Sequence, residues 1–414
     1  MRVVCHSQHL TGVGHHVRMH CIAASLAAEH EVHLVDGGRP VPRPPFAAEP
    51  GRLVVPTLVR SPSGALVGDH GEPGDEVLAR RAVVLADAVT AIRPDVVLVD
   101  HYPFSKWELS PEIDAAVSAA RAASDRVQVV CSLRDIAPQT RHEGVDPARY
   151  ASEVARRLDA GFDALLVHGD PAWSRLADHF PTADALPVPV RATGYVVEPP
   201  PLVPDPDLPA APFVVASAGG LHATEFLAAV ITAHARLVER VPAAPAALHV
   251  FAPAGADEST LGTLRAAARE HDPSATRVVV HPFAARFGAW RDAAALSVSR
   301  AGYNTCAASL RSPAAIVLVP DPRLSDQVPR ARLLDRGGAA VALASAGAAP
   351  GVDALTGAMA DALARRGARS TVGAAAVRTD GAAVTVELLT RLVAREDPWA
   401  PEWREPPGAL EEAR

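Results

Sequence analysis

The sequence predicts an α/β protein made of two doubly wound, Rossmann-like domains facing a central cleft. Three observations lead there. Short Val-rich runs alternate with amphipathic stretches along the first half. A proline-dense segment, "VVEPPPLVPDPDLPAAP", then breaks the pattern, and beyond it the alternation restarts. The length of 414 residues also exceeds what one hydrophobic core usually serves.

Taken in order, the apolar runs at 2–6, 31–36, 95–100, 126–132 and 163–168 read as buried strands. Continuous Val-rich runs bounded by turns suit a parallel sheet covered on both faces. The stretches 15–28, 75–92 and 147–158 supply the crossover helices. Segments 40–72 and 101–111 are rich in Pro and Gly and are expected to be irregular loops. Proline at the density of 199–212 forbids helix and central strand, leaving a semi-rigid connector. After it, "FVVASA", "ALHVFA", "RVVVHP", "ALSVS", "AAIVLVP" and "AAVALA" are each followed by a helical run. The expected domains are therefore 1–198 and 213–396, with the linker 199–212 between them and a tail over 397–414. Two tryptophans beside prolines either pin that tail to a surface or belong to a disordered tag.

Bulk composition narrows the function. At 49% hydrophobic and 21% charged, the chain has material for two cores. A net charge of -7, with no Lys/Arg block, argues against nucleic acid or an anionic membrane as the main partner. The four cysteines are scattered and read as buried, reduced side chains. "MRVVCHSQHL" lacks the apolar core of a signal peptide, and no run approaches the ~20 apolar residues of a membrane span. A cytoplasmic protein is expected, with peripheral contact to a lipid-linked substrate left open.

Ligands of such folds gather at strand-to-helix turns, and three turns carry chemistry. The first is "HSQHLTGVGHHVR", where Gly12 and Gly14 allow a close-approach loop and His15 opens the helix. A helix N-terminus favours the neutral imidazole that a general base needs, and Arg18 shares the helical face. The plainer alternative is that His15 or His16 caps or solvates the helix. His16 and His20 have metal-pair spacing but no accompanying H-E-x-x-H, so a solvated face is expected. The second turn, "FVVASAGGLHATEF", offers Gly219 and Gly220 as an anion-facing turn or simply a strand-to-helix connection.

The third is "SRAGYNTCAASLRSPAAIVLVPDPRLSDQVPRARLLDRGG". Here a glycine turn, a helix, a Pro-led strand, a loop ending in Asp326-Gln327 and an Arg-bearing helix follow one another. The order resembles the donor-binding segment of MurG-like glycosyltransferases with the family 28 C-terminal domain, which have the GT-B fold. "GVGHHVR" resembles that family's G-x-G-H-x-x-R start, and "SLRDI" and "ALLVHGDP" look like a branch of the same enzymes.

The resemblance implies transfer of a sugar from a nucleotide-diphosphate donor, a UDP-sugar first of all, to the hydroxyl of a small-molecule or lipid-linked acceptor. It places the donor diphosphate at Gly302, Asn304 and Thr305, the donor sugar at Asp326 and Gln327, and the acceptor base at His15. Arg18 and Arg134 are candidates for balancing phosphate or acceptor charge, with surface salt bridges as the alternative. No D-x-D stands at a strand end; Asp205-Pro206-Asp207 lies in the linker. Neither a metal nor a cofactor is therefore expected, and inversion at the sugar follows from a single displacement. One position departs from the family: Ala308 stands where a ribose-gripping Glu is usual. That leaves the donor nucleotide open, and with it two alternatives. They are a nucleotide-sugar hydrolase or epimerase, and a noncatalytic subunit that binds the sugar nucleotide.

Overall fold

A computed structural model describes residues 1–396 except 11, 42–45, 62, 139–145, 181, 201, 203, 204, 219–222, 285, 345–348 and 367–376. The chain forms two compact units. The first gathers Met1–Pro40, Phe46–Val197 and the returning chain from Arg378; the second holds Glu198–Val377.

The first unit is built on strands β1 (Arg2–His6), β2 (Glu31–Asp36), β3 (Gly51–Val54), β6 (Val96–Asp100), β7 (Gln128–Arg134), β8 (Ala164–His168) and β9 (Val190–Ala192). They lie in the order β3-β2-β1-β6-β7-β8-β9, every neighbouring pair parallel. Helices α1 (Gly14–Ala27), α2 (Gly74–Ile92), α3 (Ser110–Ala123) and α4 (Pro147–Gly161) make the crossovers. The run VVLVD shows why this strand sits mid-sheet. Val97 and Val99 enter one apolar cluster, Val96 and Leu98 another, so both faces are covered. α4 starts where sequence chemistry asks: the Asp146 carboxylate accepts the Arg149 N–H at 3.3 Å, and Pro147 follows it.

Regular structure exceeds the expectation in two places. Segment 40–72 contains β3, which extends the sheet, and an antiparallel pair, β4 (Leu58–Arg60) and β5 (Leu66–Gly68). α3 follows the loop after β6, its buried side being Ile113, Ala116 and Ala120.

The second unit repeats the plan with β10 (Phe213–Ser217), β11 (Ala247–Phe251), β12 (Val278–His281), β13 (Leu296–Ser299), β14 (Ala315–Leu318) and β15 (Val341–Ala342). Their order is β12-β11-β10-β13-β14-β15, again parallel throughout. Its helices are α5 (Ala223–Arg240), α6 (Glu258–His271), α7 (Phe287–Ala293), α8 (Tyr303–Ser309), α9 (Gln327–Arg336) and α10 (Val352–Arg365). Val214 and Ala216 face one cluster while Phe213 and Val215 face the aromatic side with Phe251 and Trp290.

The last described helix, α11 (Gly381–Ala394), departs from the expected boundary, which ran the second domain to 396. It joins the first unit instead. Val384, Leu388 and Leu389 enter the cluster of Met19, Ile22 and Leu26. Backbone bonds fasten the return: Tyr195 donates to the Arg378 carbonyl at 2.8 Å, and Gly381 donates to the Tyr195 carbonyl at 3.1 Å. Gly381 has to be glycine here, since a Cβ would stand 2.3 Å from the Gly194 carbonyl oxygen. The expected tail with its tryptophans lies outside the described residues. No described helix is long and apolar enough to cross a membrane.

Candidate functional site

Both sheets reverse strand order beside their first strand, between β1 and β6 and between β10 and β13. Doubly wound folds bind ligands at the carboxyl ends of strands at such reversals. The candidate residues of each unit collect there.

In the first unit β1 leads through the Gly12 loop into α1, and His15 lies in its first turn. Its Nδ1 is 2.9 Å from Oδ2 of Asp100, the last residue of β6. Arg18 reaches the other carboxylate oxygen at 2.5 Å and the Ser132 carbonyl at 3.1 Å. Lys106 Nζ bonds Asp100 Oδ2 as well, and the Gln8 carbonyl at 3.0 Å. Burial alone would raise the Asp100 pKa, but Lys106, His15 and Arg18 together hold it well below the usual carboxylate range. His15 is pushed down to about 3, by burial first and then by the Arg134 and Lys106 charges. Burial and the neighbouring cations thus favour the neutral imidazole. A quarter of its side chain remains exposed.

The structure gives Arg18 a different place from the expected one. Its side chain is fully buried and serves Asp100 instead of reaching outward to a ligand. Arg134 ends β7 half-buried, close enough for its charge to act on His15 and His101. His16 and His20 are buried rather than solvated, in a row of rings with His9. Among the described residues no group of three or more His, Cys, Asp or Glu is placed to hold a metal.

The sequence offered "DHYPF", Asp100–Phe104, only as a stretch that lines a pocket or merely packs its loop; it gave no sign of Lys106 and did not pair Asp100 with His15. His101 lies edge-on to His15, ring centroids 4.8 Å apart, and has a left-handed backbone with φ 65. Behind this layer, His168 bridges Ser132 and Thr193 at 2.8 Å each. A second buried set braces the loop: Glu112 accepts from Arg81 and pairs with His6 at 2.7 Å, and Arg81 also bonds Gln8. The available signal was an acid closing a central strand beside the reversal.

In the second unit Ser217 and Ser299, ending β10 and β13, place their hydroxyls 3.4 Å apart. Gly219 and Gly220 lie outside the described residues. Gly302 is the N-cap of α8, and no side chain caps this helix. Asn304 and Thr305 sit inside its first turn and not at its cap. A Cβ at Gly302 or at Gly12 would meet nothing within 4 Å, and neither residue has positive φ. Internal packing therefore gives no reason for glycine at either turn. The start of a helix, with its main-chain N–H groups and the positive end of its dipole, is a setting that suits an anion.

α9 buttresses this turn. Its fully buried Arg330 donates to the Ala301 carbonyl at 3.1 Å and to Asp326 at 3.0 Å. Gln327 accepts the Asp321 N–H at 2.9 Å. Asp326 and Gln327 are thus partly engaged in shaping their own loop. Ala308 is buried on α8 and brings no carboxylate there.

The fold is shared with GT-B glycosyltransferases. The glycosyltransferase VinC, solved with dTDP, superposes with TM-score 0.57 at 16% identity over 95% of this chain and 100% of that one. MurG of Acinetobacter baumannii gives 0.53 at 14% identity over 94% and 99%. A structure described as a UDP-N-acetylglucosamine 2-epimerase of Listeria monocytogenes gives 0.60 at 13% over 98% of each. No protein-family model matches the chain, and no curated protein matches it.

Proposed function

We propose that this protein transfers a sugar from a nucleotide-diphosphate donor to an acceptor hydroxyl, with His15 as general base. The observation that carries the reading is the His15–Asp100 pair at the β1/β6 reversal. Asp100 accepting from Nδ1–H leaves Nε2 as the nitrogen that takes a proton. The acceptor O–H proton passes to Nε2 while its oxygen bonds the anomeric carbon. The bond from that carbon to the diphosphate oxygen breaks, and the leaving nucleoside diphosphate keeps the electron pair. A single displacement of this kind inverts the anomeric centre.

The Gly302 turn suits the departing charge, with main-chain N–H groups at the start of α8 and open space above the glycine. Asp326 and Gln327 are assigned to the donor sugar, with Gln327 held in place by Asp321. Electrostatic stabilisation by the backbone makes a metal unnecessary, so activity should survive EDTA.

A panel of UDP-, GDP-, ADP- and dTDP-sugars read by thermal shift tests the donor. A ligand at 100 times its Kd stabilises by about 2.7 kcal/mol, so the true donor should stand apart. No response to any member counts against the reading. The epimerase-like fold match supports a second one, a nucleotide-sugar hydrolase or epimerase. Free sugar or an epimerised donor, formed at full rate without an acceptor, favours it.

A further inference from the structure

The geometry points to Lys106 as a positioning residue for His15. It takes a share of the Asp100 oxygen that the imidazole contacts, and so fixes the ring with Nδ1 inward and Nε2 as the working nitrogen. The inference rests on the reading of His15 as a base and adds the charge that controls it.

Several independent features place the lysine there. Lys106 has a left-handed backbone, φ 61, uncommon for a residue with a long side chain. Its ammonium is held from two elements, by Asp100 after β6 and by the Gln8 carbonyl after β1. Only a tenth of its side chain is exposed. Arg18, from α1, occupies the other Asp100 oxygen.

Two cationic side chains thus share the carboxylate with the imidazole, although burial lowers the Lys106 pKa from its ordinary value. Such a carboxylate still accepts an N–H from a neutral ring but has less charge with which to stabilise an imidazolium. Among the described residues, three other groups act around this spot, and none of the three is an acid. They are Arg134 at the end of β7, His101 edge-on to the ring, and His168 on β8, which bonds Ser132. Asp135, next to Arg134, accepts the N–H of Ile136. The depression of His15, with Lys106 among its causes, agrees with this arrangement.

The test is NMR titration of the ring nitrogens of His15 in the isotope-labelled full chain. The wild type is expected to keep a neutral, Nδ1-protonated His15 down to about pH 5. Lys106→Met should raise the midpoint by about one pH unit or more, and Lys106→Arg should leave it near the wild-type value. A merely structural lysine would change the melting temperature without moving this titration. An unmoved midpoint in Lys106→Met overturns the proposal. So does a wild-type His15 that titrates near 6.5, which decides the matter even if the variant fails to fold; Lys106→Gln then replaces it. A shifted titration in a protein that transfers no sugar keeps the role of Lys106 and removes the proposed function, so the two fail separately.

Discussion

His15 Nδ1 and Asp100 Oδ2 meet at 2.9 Å although 85 residues separate them in sequence. The parallel pairing of β1 with β6 brings them together, because it sets His6 beside Val99 and so aligns the ends of both strands. If Asp100 orients a working base, His15→Ala should lower turnover by roughly 10²–10⁴-fold. Donor binding should persist, since the donor is assigned to the other unit. Turnover unchanged in His15→Ala would remove the residue from the reaction.

Asp100→Ala is expected to act on folding as well as on rate. It leaves Arg18 and Lys106 buried beside each other without their carboxylate. Removing one partner of a buried ion pair costs about 3–5 kcal/mol. Urea denaturation should show that loss, and an unchanged midpoint would mean the cluster holds no buried charge balance.

Acid should weaken the protein before its carboxylates titrate. His15, His101 and His168 all have pKa values lowered from 6.5, with burial the largest cause in each. A depressed pKa keeps the folded ring neutral while the unfolded chain takes up a proton. Stability is therefore full above about 6.5 and falls as pH drops below it. With His15 held to about 3, that residue alone accounts for up to about 2 kcal/mol lost by about pH 5. Asp100 and Glu112 are shifted downward, so their contribution is lost only from the ordinary carboxylate pKa of the unfolded chain downward, below the window in which the histidines act. Denaturation midpoints that stay flat from about pH 7.5 to 5 would contradict this.

Much of the scaffold was legible because parallel strands buried on both faces must be continuously apolar. VVLVD and ALLVH leave no other comfortable place for themselves. The glycine turns were legible for a related reason, since Gly12 and Gly302 stand where strand gives way to helix. The partners of His15 were not, because no local pattern announces a contact across 85 residues. Lys106 and His101 reach the site through left-handed backbones, which no sequence periodicity announces. α11 was misassigned because it follows the second unit in chain order; the packing of Val384, Leu388 and Leu389 and the backbone bonds at Tyr195 show which core it covers.

That assignment can be tested in the core. Leu389 is 1% exposed in the cluster with Met19 and Ile22. Leu389→Ala should cost about 2–5 kcal/mol. Hydrogen exchange should show lost protection on α1, not on α5 or α10 of the second unit. Loosening confined to the second unit would restore the boundary that chain order suggests.

Gly302→Ala separates the donor assignment from stability. With φ -67 and ψ 153, the backbone admits alanine without strain, and the added methyl meets no protein atom within 4 Å. Losing a good N-cap and stiffening the unfolded chain oppose each other, so stability should move by no more than about 1 kcal/mol. A diphosphate lying against the turn would meet that methyl directly. Donor affinity should then fall about tenfold or more, a loss of about 1.4 kcal/mol, measured by calorimetry with whichever nucleotide sugar the thermal panel selects. Because fold and turn survive the change, weaker binding would report contact at Gly302 itself. Undiminished binding would mean that the donor phosphates lie elsewhere.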